Sequence, residues 1–217
     1  MTRGRRPTSF DHGSAAERTA RFTVESGFSL LETLVVVGLI GLLSAIAVPM
    51  TGHALANFRL TGDVRSVSNA TALTKMRAAA NFSRVRLHVD FGARSHHLEA
   101  LDKTITPNHW TPVGGSTFLS TNVSFSSGTV SSPPTGTQAS VLQAPPCTDD
   151  AGTSIDNTGC ITFNSRGVPV DNSGAPTAAD ALYLTDGTAV YAVTVSATGM
   201  LRVWHTPPAA TPTWVLE

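Results

Sequence analysis

Glu32 is the one charged residue in an otherwise apolar run of 23 residues, Phe28 to Met50. A carboxylate near a membrane interior costs about 2.5–3.5 kcal/mol on insertion scales, so such a residue is usually retained for a partner. A cationic group on a neighbouring molecule would be such a partner. The alternative is a side chain that only reaches to the membrane surface. Glu32 is therefore the first candidate for a functional contact.

The two cysteines, Cys147 and Cys160, enclose a polar segment of 12 residues. Outside the cytoplasm we expect them to form a disulfide. Such a bond would stabilise the fold by about 3 kcal/mol in the chain-entropy model. Two free thiols are the alternative. The enclosed Asp149, Asp150 and Asp156 lack the spacing of an EF-hand calcium loop, so we expect a solvated loop.

The chain has seven histidines, but their spacing does not predict a metal site. His88 and Asp90 share one face of a predicted strand, whereas the adjacent His96 and His97 point to opposite faces. The sequence has no nucleophile elbow, zinc-protease motif or phosphate-binding loop. We therefore expect surface histidines, no metal, no cofactor and no enzymatic activity. An enzyme would need a site assembled from scattered residues.

Basic residues are concentrated between residues 59 and 94, although the whole chain balances 15 Lys and Arg against 15 Asp and Glu. This balance disfavours a strongly basic nucleic-acid binder. The local patch could still contact DNA phosphates, with Arg77, Arg84 and Arg86 as the candidate contacts. A solvated helix face or an interface with acidic subunits is the alternative. The lack of Lys and Arg after Arg202 counts against DNA binding.

The elements that position these residues begin with a polar leader, residues 1–27, which carries five arginines and three acids. The apolar run that follows, residues 28–50, is long enough to span a bilayer as a helix. The excess of arginine before the run predicts a cytoplasmic leader and a chain that continues outside the cytoplasm. A cleaved secretory signal and a buried globular helix are the alternatives.

The junction sequence GFSLLE, from Gly27 to Glu32, resembles the processing site of type IV prepilins and of the pseudopilins of type II secretion. In that family a membrane-embedded aspartyl peptidase cuts after the glycine and methylates the new N-terminus, here Phe28. The resemblance implies that residues 1–27 are removed and that the apolar helix is kept. It also implies that Glu32 pairs with the new α-amino group of a neighbouring subunit during filament assembly.

The remaining chain predicts a second helical segment and a β-rich region. An amphipathic continuation is expected over residues 51–81, because apolar residues recur at roughly helical spacing. These residues are Leu60, Val64, Val67, Leu73, Met76 and Ala80. Alternating and apolar runs predict strands at Arg84–Phe91, His97–Leu101, His109–Val113, Asn122–Ser126, Cys160–Asn164, Ala181–Thr185, Ala189–Ser196 and Met200–Trp204.

The connections are predicted from small and turn-forming residues. Asp186-Gly187 and Thr198-Gly199 are typical of hairpin turns. Residues 127–159 are rich in Ser, Thr, Pro and Gly and predict a long surface loop.

Residues 161–167 and the hairpin over 191–203 are similar to the GspH/FimT group of minor pseudopilins and minor type IV pilins. The resemblance implies an α+β fold in which a long N-terminal helix packs on an antiparallel β-sheet or sandwich. The helix would be transmembrane over 28–50 and amphipathic over 51–81. Residues 82–217 would form a periplasmic domain.

The expected function is that of a minor pseudopilin, an assembly subunit of the type II secretion pseudopilus, held in the inner membrane by a single span. The implied partners are the prepilin peptidase, other pseudopilins or pilins, the inner-membrane assembly platform and the lipid bilayer. A minor type IV pilin that captures DNA or an adhesion target is the alternative within the family. A single-span membrane enzyme is the alternative outside it.

Overall fold

A computed structural model describes residues 27–104 and 109–217, apart from the side chains of residues 48–50 and 53. Within these ranges the chain forms one long helix and nine strands in two antiparallel sheets, which confirms the α+β class. The expected leader lies outside the described residues except for Gly27. The elements are α1 (Leu30–Ala80), β1 (Val85–Asp90), β2 (Ser95–Asp102), β3 (His109–Phe118), β4 (Thr158–Phe163), β5 (Pro169–Val170), β6 (Asp180–Thr185), β7 (Val190–Val195), β8 (Leu201–Thr206) and β9 (Val215–Leu216).

The chain divides into two compact units at Ala47–Val48. In the first unit, α1 presents an apolar stretch of 18 residues, Leu30–Ala47, of which none is buried against protein. At about 1.5 Å per residue this stretch is about 27 Å long, close to the thickness of a bilayer core. It is long and apolar enough to be a membrane anchor, and a signal sequence has the same properties. The α1 backbone continues through Pro49, where the sequence predicted a weakened helix.

In the second unit, α1 buries one narrow face against the sheets. The sequence correctly predicted the first part of this face, since Leu60, Val64 and Val67 are at most 1% exposed. The second part was predicted wrongly. The buried positions that continue it are Thr71, Thr74 and Ala78 rather than Leu73, Met76 and Ala80.

The buried face of α1 continues through Thr71, Thr74 and Ala78 for two reasons, the spacing of residues along a helix and the hydrogen bonds of the threonine hydroxyls. Steps of three and four residues keep to one face of a helix, whereas the step of six from Val67 to Leu73 leaves it. The Thr71 and Thr74 hydroxyls donate to the carbonyls of Val67 and Ala70, each at 2.7 Å. Because these hydroxyls are hydrogen-bonded inside the helix, both residues can be buried without an unsatisfied polar group.

The first sheet has the strand order β3-β2-β1-β4-β5, and the second has the order β6-β7-β8-β9. The inner faces of both sheets and the buried face of α1 share one hydrophobic core. Both predicted hairpin turns are confirmed, because Gly187 and Gly199 adopt positive φ angles of 89° and 75° between their strands. The two hairpins of the second sheet, β6-β7 and β7-β8, therefore follow the sequence closely.

Other strands differ from the prediction. Asn122–Ser126 is not a strand; within it only Ser124 makes an isolated bridge, to Thr185. The two short strands β5 and β9 were not predicted, and β3 extends five residues beyond its predicted end at Val113. The C-terminal tail docks through Trp214, whose indole N–H donates to the Ser132 carbonyl at 2.9 Å.

The long loop, residues 127–157 in the structure, covers the outer faces of both sheets. Its first part contributes Val130 and Val141 to a small second core beneath Tyr183 of β6. Its second part buries Cys147 on the outer face of the first sheet, where Thr148 contacts Arg86, and places Ala144 in the core that the sheets share with α1. The predicted loop is confirmed, but it serves as a cover for the sheets rather than as a surface excursion.

Candidate functional site

The first candidate site is the N-terminus of α1, which Ser29 caps. The Ser29 hydroxyl accepts a hydrogen bond from the Glu32 backbone N–H at 3.2 Å, which places Glu32 as the third residue of the helix. The pattern Ser-x-x-Glu is that of a capping box, in which serine and glutamate satisfy free N–H groups of the first turn. Gly27 and Phe28 therefore lie outside the helix, directly before its cap, and both are exposed.

This geometry gives Glu32 a second, local role within its own helix. A carboxylate in the first turn is favoured by the partial positive charge of the helix N-terminus, by about 0.3–1 kcal/mol at an exposed site. Glu32 is exposed, so it is also free to meet a neighbouring molecule. The structure thus brings together Gly27, Phe28 and Glu32 at one helix end, as the sequence predicted, and adds Ser29 to the group.

The three arginines proposed as anion contacts do not form one exposed patch. Arg86 is 2% exposed and its guanidinium is bound inside the protein, so it is not available to a phosphate. Arg84 is half-buried and donates to the Asn172 carbonyl at 3.4 Å. Arg77 is half-buried on α1 and lines a shallow cavity beside His96. Only Arg77 and Arg84 stay as candidate contacts.

The second candidate site is a polar cluster on the outer face of the first sheet, centred on Glu99 of β2. The Arg86 Nε donates to Glu99 at 2.6 Å, and a second guanidinium nitrogen donates to the Thr148 carbonyl of the long loop at 2.8 Å. The guanidinium also lies over the Trp110 ring, 4.0 Å from its centroid. Burial lowers the pKa of Arg86, although the attraction of Glu99 opposes this effect.

Two histidines complete this cluster. His88 of β1 and His97 of β2 are directly opposite each other in the sheet, and their rings stack with centroids 4.7 Å apart. His88 Nδ1 lies 3.3 Å from one Glu99 oxygen, and His97 Nε2 lies 3.1 Å from the other. Burial raises the pKa of Glu99, but the hydrogen bond with His88 and the charge of Arg86 outweigh it and lower the pKa to about 2.

The disulfide loop closes over this cluster. Cys147 and Cys160 form a disulfide, as predicted, and Cys160 lies opposite His88 in the pairing of β1 with β4. Asp150 of the same loop accepts a hydrogen bond from the Trp110 backbone N–H at 2.9 Å and pairs with the His109 ring. Asp150 thus ties the loop to β3 instead of standing free in solvent.

Sequence analysis missed Glu99 and the pairing of the two histidines. It correctly separated His96 from His97: the His96 ring faces α1, where Nε2 lies 3.5 Å from the Ser66 hydroxyl. Burial lowers the pKa of His96. The sequence feature that determines this pairing is the turn at residues 91–94, between β1 and β2. It sets the register in which His88 lies opposite His97.

The chain was also compared with known proteins. No family model, no curated protein and no solved structure matches it.

Proposed function

We propose that this chain is a minor pseudopilin, a structural and assembly subunit of a type II secretion pseudopilus. The observation that carries the proposal is the start of α1. The junction sequence GFSLLE coincides with the N-terminus of a bare apolar helix. Gly27 is exposed, and apart from its chain neighbours no atom of the described residues lies within 4 Å of the position a Cβ would take, so a peptidase could bind this segment as extended backbone.

The proposed topology has residues 1–27 in the cytoplasm, the apolar part of α1 across the inner membrane and the β-rich unit in the periplasm. Two independent features support it. Arginine is concentrated before the span, which is typical of a cytoplasmic flank. The Cys147–Cys160 disulfide beyond the span fits an oxidising compartment such as the periplasm.

The proposed mechanism is assembly by transfer between apolar environments. The helix is stored in lipid and later packs against other pseudopilin helices, so its apolar side chains never meet water. Cleavage after Gly27 creates an α-amino group on Phe28, and Glu32 of one subunit pairs with that group on its neighbour. The prepilin peptidase, other pseudopilins, the assembly platform and the bilayer are the partners of this mechanism.

Processing is tested by the N-terminal peptide of the chain purified from its native inner membrane. Cleavage leaves a chain of 190 of the 217 residues that begins with a methylated Phe28. Gly27→Leu adds a bulky side chain at the cut and should leave the chain uncut, whereas Gly13→Leu in the leader should not. An intact leader in the wild type would refute the proposal.

The role of Glu32 is tested by two variants that separate capping from pairing between subunits. Glu32→Gln removes the charge but keeps a residue type that completes a capping box. Ser29→Ala removes the cap, which is worth about 1 kcal/mol, but keeps the charge. We expect Glu32→Gln to be processed but not crosslinked to other pseudopilins, and Ser29→Ala to be crosslinked normally. The reverse pattern would assign Glu32 to capping alone.

The same crosslinking identifies the machine that the chain serves. Recovery of other pseudopilins and a secretion platform supports the proposal, whereas recovery of a major pilin supports the alternative, a minor type IV pilin. DNA capture by such a pilin would rest on Arg77 and Arg84, since Arg86 is buried. If the chain binds DNA and the double variant with both residues changed to Gln binds equally well, these residues are excluded as DNA contacts.

A further inference from the structure

The cluster around Glu99 has the donor atoms of a metal site. The side chains of His88, His97 and Glu99 each offer one ligand atom, and these atoms all lie within 4.8 Å of one another. Zinc binds nitrogen and carboxylate oxygen at about 2.0–2.2 Å, so two donors on one tetrahedral ion are about 3.4 Å apart. Side-chain movements of about 1 Å would therefore bring the three atoms into ligating distance.

The backbone holds this donor set in place. His88 and His97 are cross-strand partners, and Glu99 follows His97 by two residues, so all three project from the same face of paired strands. Arg86 holds one Glu99 oxygen at 2.6 Å and is itself fixed to the Thr148 carbonyl. A ligating carboxylate that is hydrogen-bonded by a further residue is typical of protein metal sites.

The cluster is shielded but not sealed. The side chains of His88, His97 and Glu99 are 13%, 19% and 10% exposed, so an ion can enter while most of the surrounding water is excluded. The Arg86 guanidinium opposes a dication at this position, and it leaves the second Glu99 oxygen, beside His97, as the ligating atom. We therefore expect an affinity below that of a structural zinc site.

Within residues 27–104 and 109–217, the two cysteines and the third histidine near the cluster are not ligands. Cys147 and Cys160 also lie close to His88, but their sulfur atoms are bonded to each other and carry no thiolate charge. His96 faces α1 on the opposite side of the strand. Two imidazoles and one carboxylate are thus the donor set, a combination that suits Zn²⁺ and leaves a fourth coordination position open.

We propose that His88, His97 and Glu99 bind one Zn²⁺ ion per chain, with the remaining coordination position taken by water or by an external ligand. This inference does not depend on the proposed pseudopilin function. The site would tie β1 to β2 beneath the disulfide loop, so metal binding should also raise the temperature at which the β-rich unit unfolds.

The test is equilibrium dialysis of the full-length chain in detergent micelles against ZnCl₂, after removal of metal with EDTA. The purification tag must contain no histidine. His88→Gln and His97→Gln are the main variants, because changing Glu99 would leave the buried Arg86 without its partner. His205→Gln is the matched control, since His205 also lies beside a carboxylate, 3.1 Å from Glu217, but belongs to no group of three metal-donor side chains in the described part of the chain.

We expect one Zn²⁺ per wild-type chain, at least tenfold weaker binding by each single variant, and unchanged binding by His205→Gln. Co²⁺ should give the visible absorption of a tetrahedral site in the wild type only. Native tryptophan fluorescence shows whether each variant is folded. If one of the two histidine variants does not fold, the Zn²⁺ affinity of the other tests the proposal. The proposal is overturned if the wild type takes up no Zn²⁺ saturably, or if a folded His88→Gln or His97→Gln variant binds it as the wild type does.

Discussion

Asp180, the first residue of β6, is a buried carboxyl group whose titration should limit the stability of the β-rich unit. It lies at the edge of the second sheet, opposite Val195, and is 7% exposed. Burial raises its pKa from 3.8 to about 6. The substitution Asp180→Asn removes the ionisation and keeps the size of the side chain, so it isolates the cost of charging this position.

The sign and size of the effect follow from this shift. The folded state holds the Asp180 proton to a higher pH than the unfolded state, so the stability contributed by the neutral carboxyl is complete below pH 4. It is lost as the pH rises through 6. A shift of about 2 units corresponds to about 3 kcal/mol. About half of this loss is already present at pH 5, so about 1.5 kcal/mol is lost between pH 5 and pH 8.

Urea unfolding of the full-length chain in micelles measures this difference. All three tryptophans, Trp110, Trp204 and Trp214, belong to the β-rich unit, so their fluorescence reports on that unit alone. We expect the advantage of Asp180→Asn over the wild type to grow by about 1.5 kcal/mol between pH 5 and pH 8. Any constant cost of the amide cancels in this comparison.

The matched control is Asp156→Asn, which changes an exposed acid of the disulfide loop. Its stability should follow that of the wild type at both pH values. If Asp180→Asn and the wild type lose stability in parallel over this range, the raised pKa of Asp180 is refuted. The pH dependence would then have to arise from other groups.

Three further predictions concern unfolding free energies measured by the same urea assay. Leu60→Ala should cost about 3 kcal/mol because it empties a buried site, whereas Leu73→Ala, at a position 38% exposed, should cost less than about 1 kcal/mol. Equal costs would contradict the corrected helix face. Arg86→Gln should cost about 1–3 kcal/mol, since the buried Glu99 loses its guanidinium and keeps only its contacts with the two histidines, whereas the exposed Arg65→Gln should have little effect. Reduction of the Cys147–Cys160 disulfide should cost about 3 kcal/mol, and an unchanged urea midpoint would show that the loop is held by its other contacts.

The sequence predicted best the elements whose signals are local. The apolar run and the hairpins around Gly187 and Gly199 were predicted because composition and turn chemistry act over a few residues. The cap at Ser29 is equally local, since the pattern Ser-x-x-Glu spans only four residues. Asn122–Ser126 has the apolar alternation of a strand, yet its backbone pairs with another strand only at Ser124. Alternation shows which residues are buried but not whether a neighbouring strand is present.

The two candidate sites also differ in how far apart their residues lie in the sequence. The junction at Gly27 and Glu32 lies within one turn of chain, so sequence alone could assemble it. The cluster around Glu99 joins residues from three strands and a loop. The hairpin turn that pairs His88 with His97 is local, but the contacts of Arg86 with Trp110 and with the long loop join distant parts of the chain and have no local signal. Arg86 shows the consequence most clearly. Its alternation with Val85 and Leu87 predicted an exposed cation, because the loop that buries it is more than 50 residues away.

The long loop explains why so many polar residues of the sheets are buried. All six residues of β4 and all six of β6 are buried, which requires cover on both faces of each strand. Gln143 of the loop also pairs with β6 at its free edge: its side-chain amide accepts from the Tyr183 N–H at 2.9 Å and donates to the Tyr183 carbonyl at 3.0 Å. An uncovered edge strand would present these groups to other chains. The segment 127–159, despite its Ser, Thr, Pro and Gly composition, is therefore not a spacer. It covers the sheets and forms hydrogen bonds with their buried polar groups.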